Sequence, residues 1–418
     1  MKASIITLGC KVNEYESQSI LNQLKCNGYE IAEGYVFADL YVINTCAVTN
    51  TAEKKSRQVI AKITKINPNA KILVCGCAVE NNPDQFLSST NVFALTGNLG
   101  KNDIMKYIDT ENKKLEKLTS LDYEDLPRPI ETKTRQFIKI QDGCNNFCTY
   151  CLIPYVRGRS RSRNLEDILD EIKNTKSNEI VLTGINMSDY RVNGELALKT
   201  LVKEVNKLNK RFRISSIECV ALDDEMIEIL HNSKNFCPHF HLSLQSANNE
   251  TLKRMNRHYS IEEFKSIVRK IKSKFTLPFV ATDIIVGFKG ETDEEFVNAI
   301  ENLKEIEFSS MHIFPYSERS GTIASKMKGG VDKCITKQRE CELQTLNSEL
   351  KAKFLNANLG TIHEVLIEEV SDGISMGYTE NYIYAYIDGE YEVGSILKVE
   401  LKETFKDGIK AEILKQGE

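Results

Sequence analysis

The run GCNNFCTYC, with Cys144, Cys148 and Cys151 in a CxxxCxxC spacing, constrains this chain more than any other feature. Three thiolates on so short a segment face a common point, so the fold has to hold a loop around an inorganic centre. Four-iron clusters normally take four protein thiolates; a loop offering three leaves one iron open to a small molecule. S-adenosylmethionine, chelated through its amino and carboxylate groups and split reductively to a 5′-deoxyadenosyl radical, is the occupant this spacing suggests. A three-cysteine zinc knuckle or a set of buried free thiols is the rival reading, although CxxxCxxC is not a usual zinc spacing.

A chain of 418 residues is long enough for two or three domains. The opening MKASIITLGCKVNE has too short an apolar run for an export signal, and no stretch reaches the roughly 20 apolar residues of a membrane span. Twelve cysteines without such a signal point to a reducing, cytoplasmic setting in which clustered thiols bind metal. The net charge of −4 excludes a general polycation, so nucleic-acid binding, if present, falls to local basic patches.

In residues 1–110, SIITLG, DLYVINTC and KILVCGC read as buried strands, and the segments between them carry helical spacing of apolar residues. That alternation predicts an α/β domain with a doubly wound parallel sheet. Residues 111–135 are charged and contain proline, which reads as a linker. Residues 136–355 hold six candidate βα units, with strands starting at Phe137, Glu179, Arg213, His239, Phe279 and Ser310. Six units suit an open, partial (βα)6 TIM-like barrel, whose chemistry belongs at the C-terminal strand ends. The cysteine loop follows the first of these strands. Residues 356–418 carry short alternating strands, expected to form a small antiparallel β-barrel or sandwich.

Cys10, Cys46 and Cys77 each end one of the first three strands (TLGC, INTC, VCGC). A parallel sheet gathers its strand C-termini on one edge, so the three thiols should converge there as a second three-ligand 4Fe–4S site. Cysteine is also a common small buried hydrophobe. Cys75, two residues earlier and on the same face by strand alternation, is the rival for Cys77. Cys26, Cys237, Cys334 and Cys341 read as plain thiols, and Cys219 as an ambiguous spare at the barrel rim.

Taken together, TLGCKVNEYES, NTCAVT, GCAVE, GCNNFCTYCLIPYVRGRSRSR, HLSLQSANNETLKRMNR, TDIIVGF and HIFPYSERSGT resemble the radical-SAM methylthiotransferases, over essentially the whole chain and in one domain order. The tail resembles the TRAM barrel, an RNA-binding module. LGCKVNEYES and LTGINMSDY look most like the branch acting on N6-threonylcarbamoyladenosine next to the tRNA anticodon. The branches acting on N6-isopentenyladenosine or on an aspartate of a ribosomal protein are the alternatives; a non-catalytic iron–sulfur redox sensor or RNA-binding protein is a remote one.

The resemblance implies two 4Fe–4S clusters and two uses of S-adenosylmethionine. The cluster on Cys144, Cys148 and Cys151 would generate the radical that takes hydrogen from adenine C2. The cluster on Cys10, Cys46 and Cys77 would carry the sulfur, and a second S-adenosylmethionine would supply the methyl group. A tRNA substrate and a reducing partner such as a flavodoxin or ferredoxin follow, with no membrane. Gly184 and Asn186 at the second barrel strand's end are candidates for the cofactor's methionine moiety. Ser215, Ser216, Glu218, Gln245, Ser246 and Asp283, at or near later strand ends, are candidates for adenosine or ribose, with capping of buried strand ends as the plain alternative.

Arg157, Arg159, Arg161 and Arg163 form a basic run beside the cysteine loop, read as phosphate or cofactor contacts. The tail cannot attract RNA by bulk charge: residues 359–418 hold thirteen Asp/Glu against five Lys/Arg. Tyr378, Tyr382, Tyr384 and Tyr386 are its candidates for base stacking.

Overall fold

The structure, a computed structural model, describes residues 1–111, 113, 122–131 and 133–414. Strand–helix alternation at the start of the chain builds a parallel sheet of β1 (Lys2–Thr7), β2 (Glu30–Glu33), β3 (Leu40–Thr45), β4 (Lys71–Gly76) and β5 (Val92–Thr96), in the order β2-β1-β3-β4-β5. That order is one of the two common doubly wound ones. Central β3 is buried at every position, as a strand covered on both faces must be. Helix α1 (Lys11–Cys26) covers one face, where Ile20, Leu21 and Leu24 pack on Leu40 and Val42. Helix α2 (Asn50–Ile66) sets Val59, Ile60 and Ile63 on the opposite face against Tyr41 and Ile43. The sequence reading found three of the five strands. It missed β2, a four-residue edge strand, EIAE, with no apolar run to announce it, and β5, the short strand VFALT.

The second domain contains all six expected strands, as β6 (Arg135–Asp142), β8 (Glu179–Gly184), β11 (Arg211–Ile214), β12 (His239–Gln245), β13 (Phe279–Val286) and β14 (Ser310–Pro315). Short β7 (Arg161–Ser162) pairs antiparallel with β6, and β9 (Arg191–Val192) with β10 (Glu195–Leu196) forms a small hairpin. The strands make two sheets, β11-β8-β6-β7 and β12-β13-β14, joined by a bridge between Ile217 and Leu242. The barrel is open. Its third strand stops at Ile214 instead of running to Glu218, because the chain there leaves β8 to reach the neighbouring sheet.

The tail forms a closed barrel, β15 (Ile362–Ser371), β16 (Ile374–Thr379), β17 (Tyr384–Asp388), β18 (Ile396–Phe405) and β19 (Gly408–Ile413), in the order β15-β16-β17-β19-β18. The expectation of a wholly antiparallel barrel is corrected at one seam, where β17 and β19 run parallel. An odd number of strands in a ring cannot alternate direction throughout, so one pair must be parallel.

Residues 122–131 of the expected linker lie along α1. Ser19 Oγ donates to the Pro127 carbonyl (2.6 Å), and Asn22 Nδ2 donates to that of Arg128 (2.9 Å). Residues 112, 114–121 and 132 of that linker lie outside the described residues. Beneath this strap a buried ionic knot joins the first two domains. Glu16 of α1 accepts from Lys101 Nζ (2.5 Å), Lys139 Nζ (2.9 Å) and Arg157 Nη1 (2.8 Å), and Asp142 at the end of β6 shares Lys139 and Arg157. No helix among the described residues is long and apolar enough to cross a membrane.

Candidate functional site

The cysteine loop leaves β6 through Gly143, whose φ is +70°. A Cβ there would sit 2.0 Å from the Arg159 carbonyl oxygen, so only glycine fits. The loop is then pinned from several sides. Cys144 N donates to Gly158 O (3.1 Å), Thr149 N to Met255 O (3.0 Å), and Asn256 Nδ2 to the Asn146 carbonyl (3.1 Å). Cys144, Cys148 and Cys151 are half-buried. Their sulfurs accept from Asn146 N (3.4 Å), Arg257 Nη1 (3.2 Å) and Ile153 N (3.4 Å), respectively. Burial pushes the Cys144 thiol up to about 11 and Cys151 up to about 12.

Cys10, Cys46 and Cys77 stand just beyond the C-terminal ends of β1, β3 and β4, on one edge of the sheet. Cys10 caps α1, Cys46 follows β3, and Cys77 opens the short helix α3 (Cys77–Asn81) directly after β4. A Cβ on Gly9, which has φ +111°, would lie 2.9 Å from Cys46 Cβ and 3.2 Å from its Sγ. The missing side chain keeps that space clear. Asn98 Nδ2 (3.6 Å) and Arg157 Nε (3.3 Å) donate to Cys77 Sγ, and Val48 N to Cys46 Sγ (3.5 Å). Burial raises the thiols of Cys10 and Cys46, the latter to about 12. Cys75 is not a competitor. It packs in the apolar layer beneath α1 with Leu21 and Leu73, whereas Cys77 belongs to the opposite layer, so the shared face expected for the two is corrected. Once the chain turns into α3 at Cys77, strand alternation no longer sets the direction of its side chain. Cys219 is buried in the core of the second domain.

Both triads fit iron–sulfur clusters better than single ions. One tetrahedral ion draws its sulfurs to within about 4 Å of each other. Among the described residues only His241, Asp283 and His312 bring three ligand-type atoms within 4.8 Å, and neither cysteine triad closes to that spacing. N–H donors on the sulfurs are the surroundings that tune such clusters.

The arginine run does not form a phosphate-binding face. Arg157 is wholly buried, its guanidinium shared among Glu16, Asp142, Asn13 and the Cys77 sulfur, so the expected phosphate contact is corrected to contact with a cysteine of the second triad. Arg161 lies beside Asp142, and Arg163 pairs with Glu171 and donates to Tyr15 Oη (3.1 Å). Only Arg159 is exposed, stacked 4.4 Å over the Phe147 ring. Burial alone would raise the carboxyl of Glu16, but Arg157, Lys101 and Lys139 outweigh it and hold it well below the usual carboxylate range.

Two cavities flank the triads. The smaller, about 290 Å³, gathers Asn146, Asn186 and Glu218 with Arg257. Arg257 ion-pairs with Glu218 while donating to Cys148, a link the sequence reading missed although Arg257 ends the quoted motif HLSLQSANNETLKRMNR. The larger, about 730 Å³, opens where all three domains meet. It is lined by Cys10 and Lys11, by Gly184, Ser215, Ser216 and Asp283 of the open barrel, and by Tyr378, Tyr382 and Tyr384 of the tail. At Gly184 a Cβ would come within 3.1 Å of Gln141 and 3.0 Å of Met187, a tight fit to which those side chains would have to yield. Gln245 and Ser246 border neither cavity; Gln245 sits at a bulge with φ +70°. Asp283 is already engaged. His241 Nε2 (3.0 Å) and His312 Nδ1 (3.2 Å) flank its carboxylate and, against the effect of burial, hold it well below its usual range. The tyrosines form a ladder: His239 stacks on Tyr382 (3.9 Å), Tyr382 on Tyr378 (4.5 Å), and Tyr384 and Tyr386 continue it. Arg135 lies 4.9 Å over Tyr378 and Arg213 5.2 Å over Tyr382.

With this geometry in place, comparison with known proteins is informative. Residues 138–303 match the family model of the Radical SAM superfamily, and residues 2–97 that of Uncharacterized protein family UPF0004. A relative from Bacillus subtilis (strain 168), named Threonylcarbamoyladenosine tRNA methylthiotransferase MtaB, is 38% identical over 94% of this chain and 92% of its own length. The protein of that name from Aquifex aeolicus is 36% identical over 96% of this chain and 100% of its own. A tRNA-2-methylthio-N(6)-dimethylallyladenosine synthase from Lachnoclostridium phytofermentans is 34% identical over 96% and 92%. Among solved structures, the radical S-adenosylmethionine methyltransferase TsrM from Kitasatospora setae shares the fold, with a TM-score of 0.55 over 75% of both chains at 13% identity.

Proposed function

We infer from one premise, that this chain belongs to the radical-SAM methylthiotransferase family, that it converts N6-threonylcarbamoyladenosine in tRNA to its 2-methylthio derivative. The observation that carries the reading is near full-length similarity to proteins bearing that activity in their names, at 35–38% identity in five species. As a member of that family the chain uses S-adenosylmethionine and 4Fe–4S clusters. When bound, the clusters supply the electron that cleaves S-adenosylmethionine and the sulfur that is transferred.

The residues divide that work. Cys144, Cys148 and Cys151 hold the first cluster, and Arg257, bridging Cys148 and Glu218, orients the loop toward the smaller cavity. Asn186 and Glu218 belong to the binding of S-adenosylmethionine there. Gly184 leaves room beside Gln141 between that region and the larger cavity. Cys10, Cys46 and Cys77 hold the second cluster, with Arg157 neutralising charge on the Cys77 sulfur. Cys10 reaches the larger cavity, so the sulfur-bearing end and the barrel strand ends face one substrate space. Ser216 and Asp283 line that space from the barrel, and the Tyr378–Tyr382 stack at its mouth suits anticodon bases. Gln245, away from both cavities, carries no contact in this reading. A flavodoxin- or ferredoxin-type donor in the cytoplasm would supply electrons.

The test is mass spectrometry of nucleosides from total tRNA of a strain lacking the gene, beside its parent. Loss of 2-methylthio-N6-threonylcarbamoyladenosine with accumulation of its unthiolated precursor is expected. Loss of the isopentenyl counterpart instead would move the substrate; no change in either would remove tRNA from the reading.

A further inference from the structure

Two lysines line the larger cavity without a hydrogen bond or ion pair among the described residues, Lys11 and Lys351. Lys11 lines it from the first turn of α1. Lys351 faces the Asp407 carboxylate of the tail, which also accepts from Tyr386 Oη (2.6 Å), whereas the acid near Lys11, Asp283, is already held by His241 and His312. A half-buried ammonium left unpaired beside bound substrate is costly unless the substrate supplies an anion.

Substrate chemistry, on the reading given above, supplies one. The threonylcarbamoyl group on N6 ends in a carboxylate, and the isopentenyl group has no charge. C2, where sulfur enters, and C6, which carries N6, lie on the same edge of the purine with only N1 between them. A group that binds the N6 substituent therefore has to sit next to the group that delivers sulfur. Lys11 is the residue that follows Cys10.

We propose that Lys11 receives the carboxylate of the N6 substituent and thereby selects a threonylcarbamoyl-bearing adenosine over one with an apolar substituent. An ammonium left unpaired against an apolar group penalises the wrong substrate, which is how polar sites discriminate strongly.

The test compares the full-length protein, loaded with both clusters, with its Lys11→Gln and Lys11→Arg variants. Binding and turnover are measured on anticodon stem-loops carrying N6-threonylcarbamoyladenosine, its methyl ester, or N6-isopentenyladenosine. The parent protein should prefer the free acid over the ester by about tenfold or more, the range of a charge-assisted hydrogen bond. Lys11→Gln should bind acid and ester alike at the ester's level, and Lys11→Arg should restore the preference. A Lys11→Gln protein that still prefers the acid overturns the assignment and leaves the function intact. Loss of affinity for acid and ester in equal proportion also overturns it, because the effect is then not on charge. A parent protein that turns over only the isopentenyl stem-loop overturns the substrate reading, and the assignment with it.

Discussion

At Gly143 the Arg159 carbonyl leaves no room for a methyl group, and the left-handed backbone adds its own penalty. Gly143→Ala should cost about 1–3 kcal/mol and lower iron content, read by thermal unfolding and by iron assay after reconstitution. The two triads differ in what their loss does. Cys148→Ala should abolish both S-adenosylmethionine cleavage and tRNA modification. Cys46→Ala should leave uncoupled cleavage, measured as 5′-deoxyadenosine, while ending methylthio transfer; normal transfer would mean the second site is misassigned. Cys144, Cys148 and Cys151 stood out by their local spacing, whereas Cys10, Cys46 and Cys77 could be proposed only together, from their like positions at three strand ends. Arg157 was not readable either way. Its sequence neighbours, Arg159, Arg161 and Arg163, suggest a basic face, and its real partners Glu16, Asn13 and Cys77 lie in another domain.

Among the elements, α1 and β6 are joined by the buried charges of Glu16, Lys139, Asp142 and Arg157. Replacing Arg157 with Met leaves two carboxylates short of a cation. A loss of about 3 kcal/mol is expected, seen in the midpoint of denaturant unfolding; an unchanged midpoint would show the knot to be neutral to stability. The β16–β17 hairpin carries the tyrosine ladder, in which Tyr378 stacks on Tyr382 beneath Arg135. Tyr378→Ala should weaken anticodon stem-loop binding about tenfold and leave RNA-independent cleavage of S-adenosylmethionine unchanged. Equal affinity for RNA would reduce the tyrosines to packing residues. The six strands of the second domain could be read from sequence because each carries a run of successive or alternating apolar residues, as in EIVLTG and HFHLSLQ. Edge strands such as β2, half-exposed, carry no such run.

Across the whole molecule, the three domains meet around His239, stacked between the open barrel and Tyr382 of the tail. Its Nδ1 is buried without a hydrogen-bond partner, and burial, then Arg213 and Lys11, hold the ring's pKa well below 6.5. The folded protein keeps this ring neutral, while the unfolded chain takes up a proton below pH 6.5. Stability therefore falls as pH drops through that value, by up to about 1.4 kcal/mol per pH unit. His239→Phe, which preserves the stack, should flatten the unfolding midpoint between pH 6.5 and 5 relative to the parent; equal slopes would contradict this. The sequence by itself marked the CxxxCxxC loop, most strands of the first two domains and the strand ends as the place of the candidate chemistry, since these depend on local spacing and apolar patterning. Only the tertiary structure decided that Arg157 contacts the Cys77 sulfur, that His241 and His312 hold Asp283, and that Lys11 opens into the larger cavity. Those pairings join residues far apart in the chain, and they depend on how separate sheets pack against one another, which no local pattern encodes.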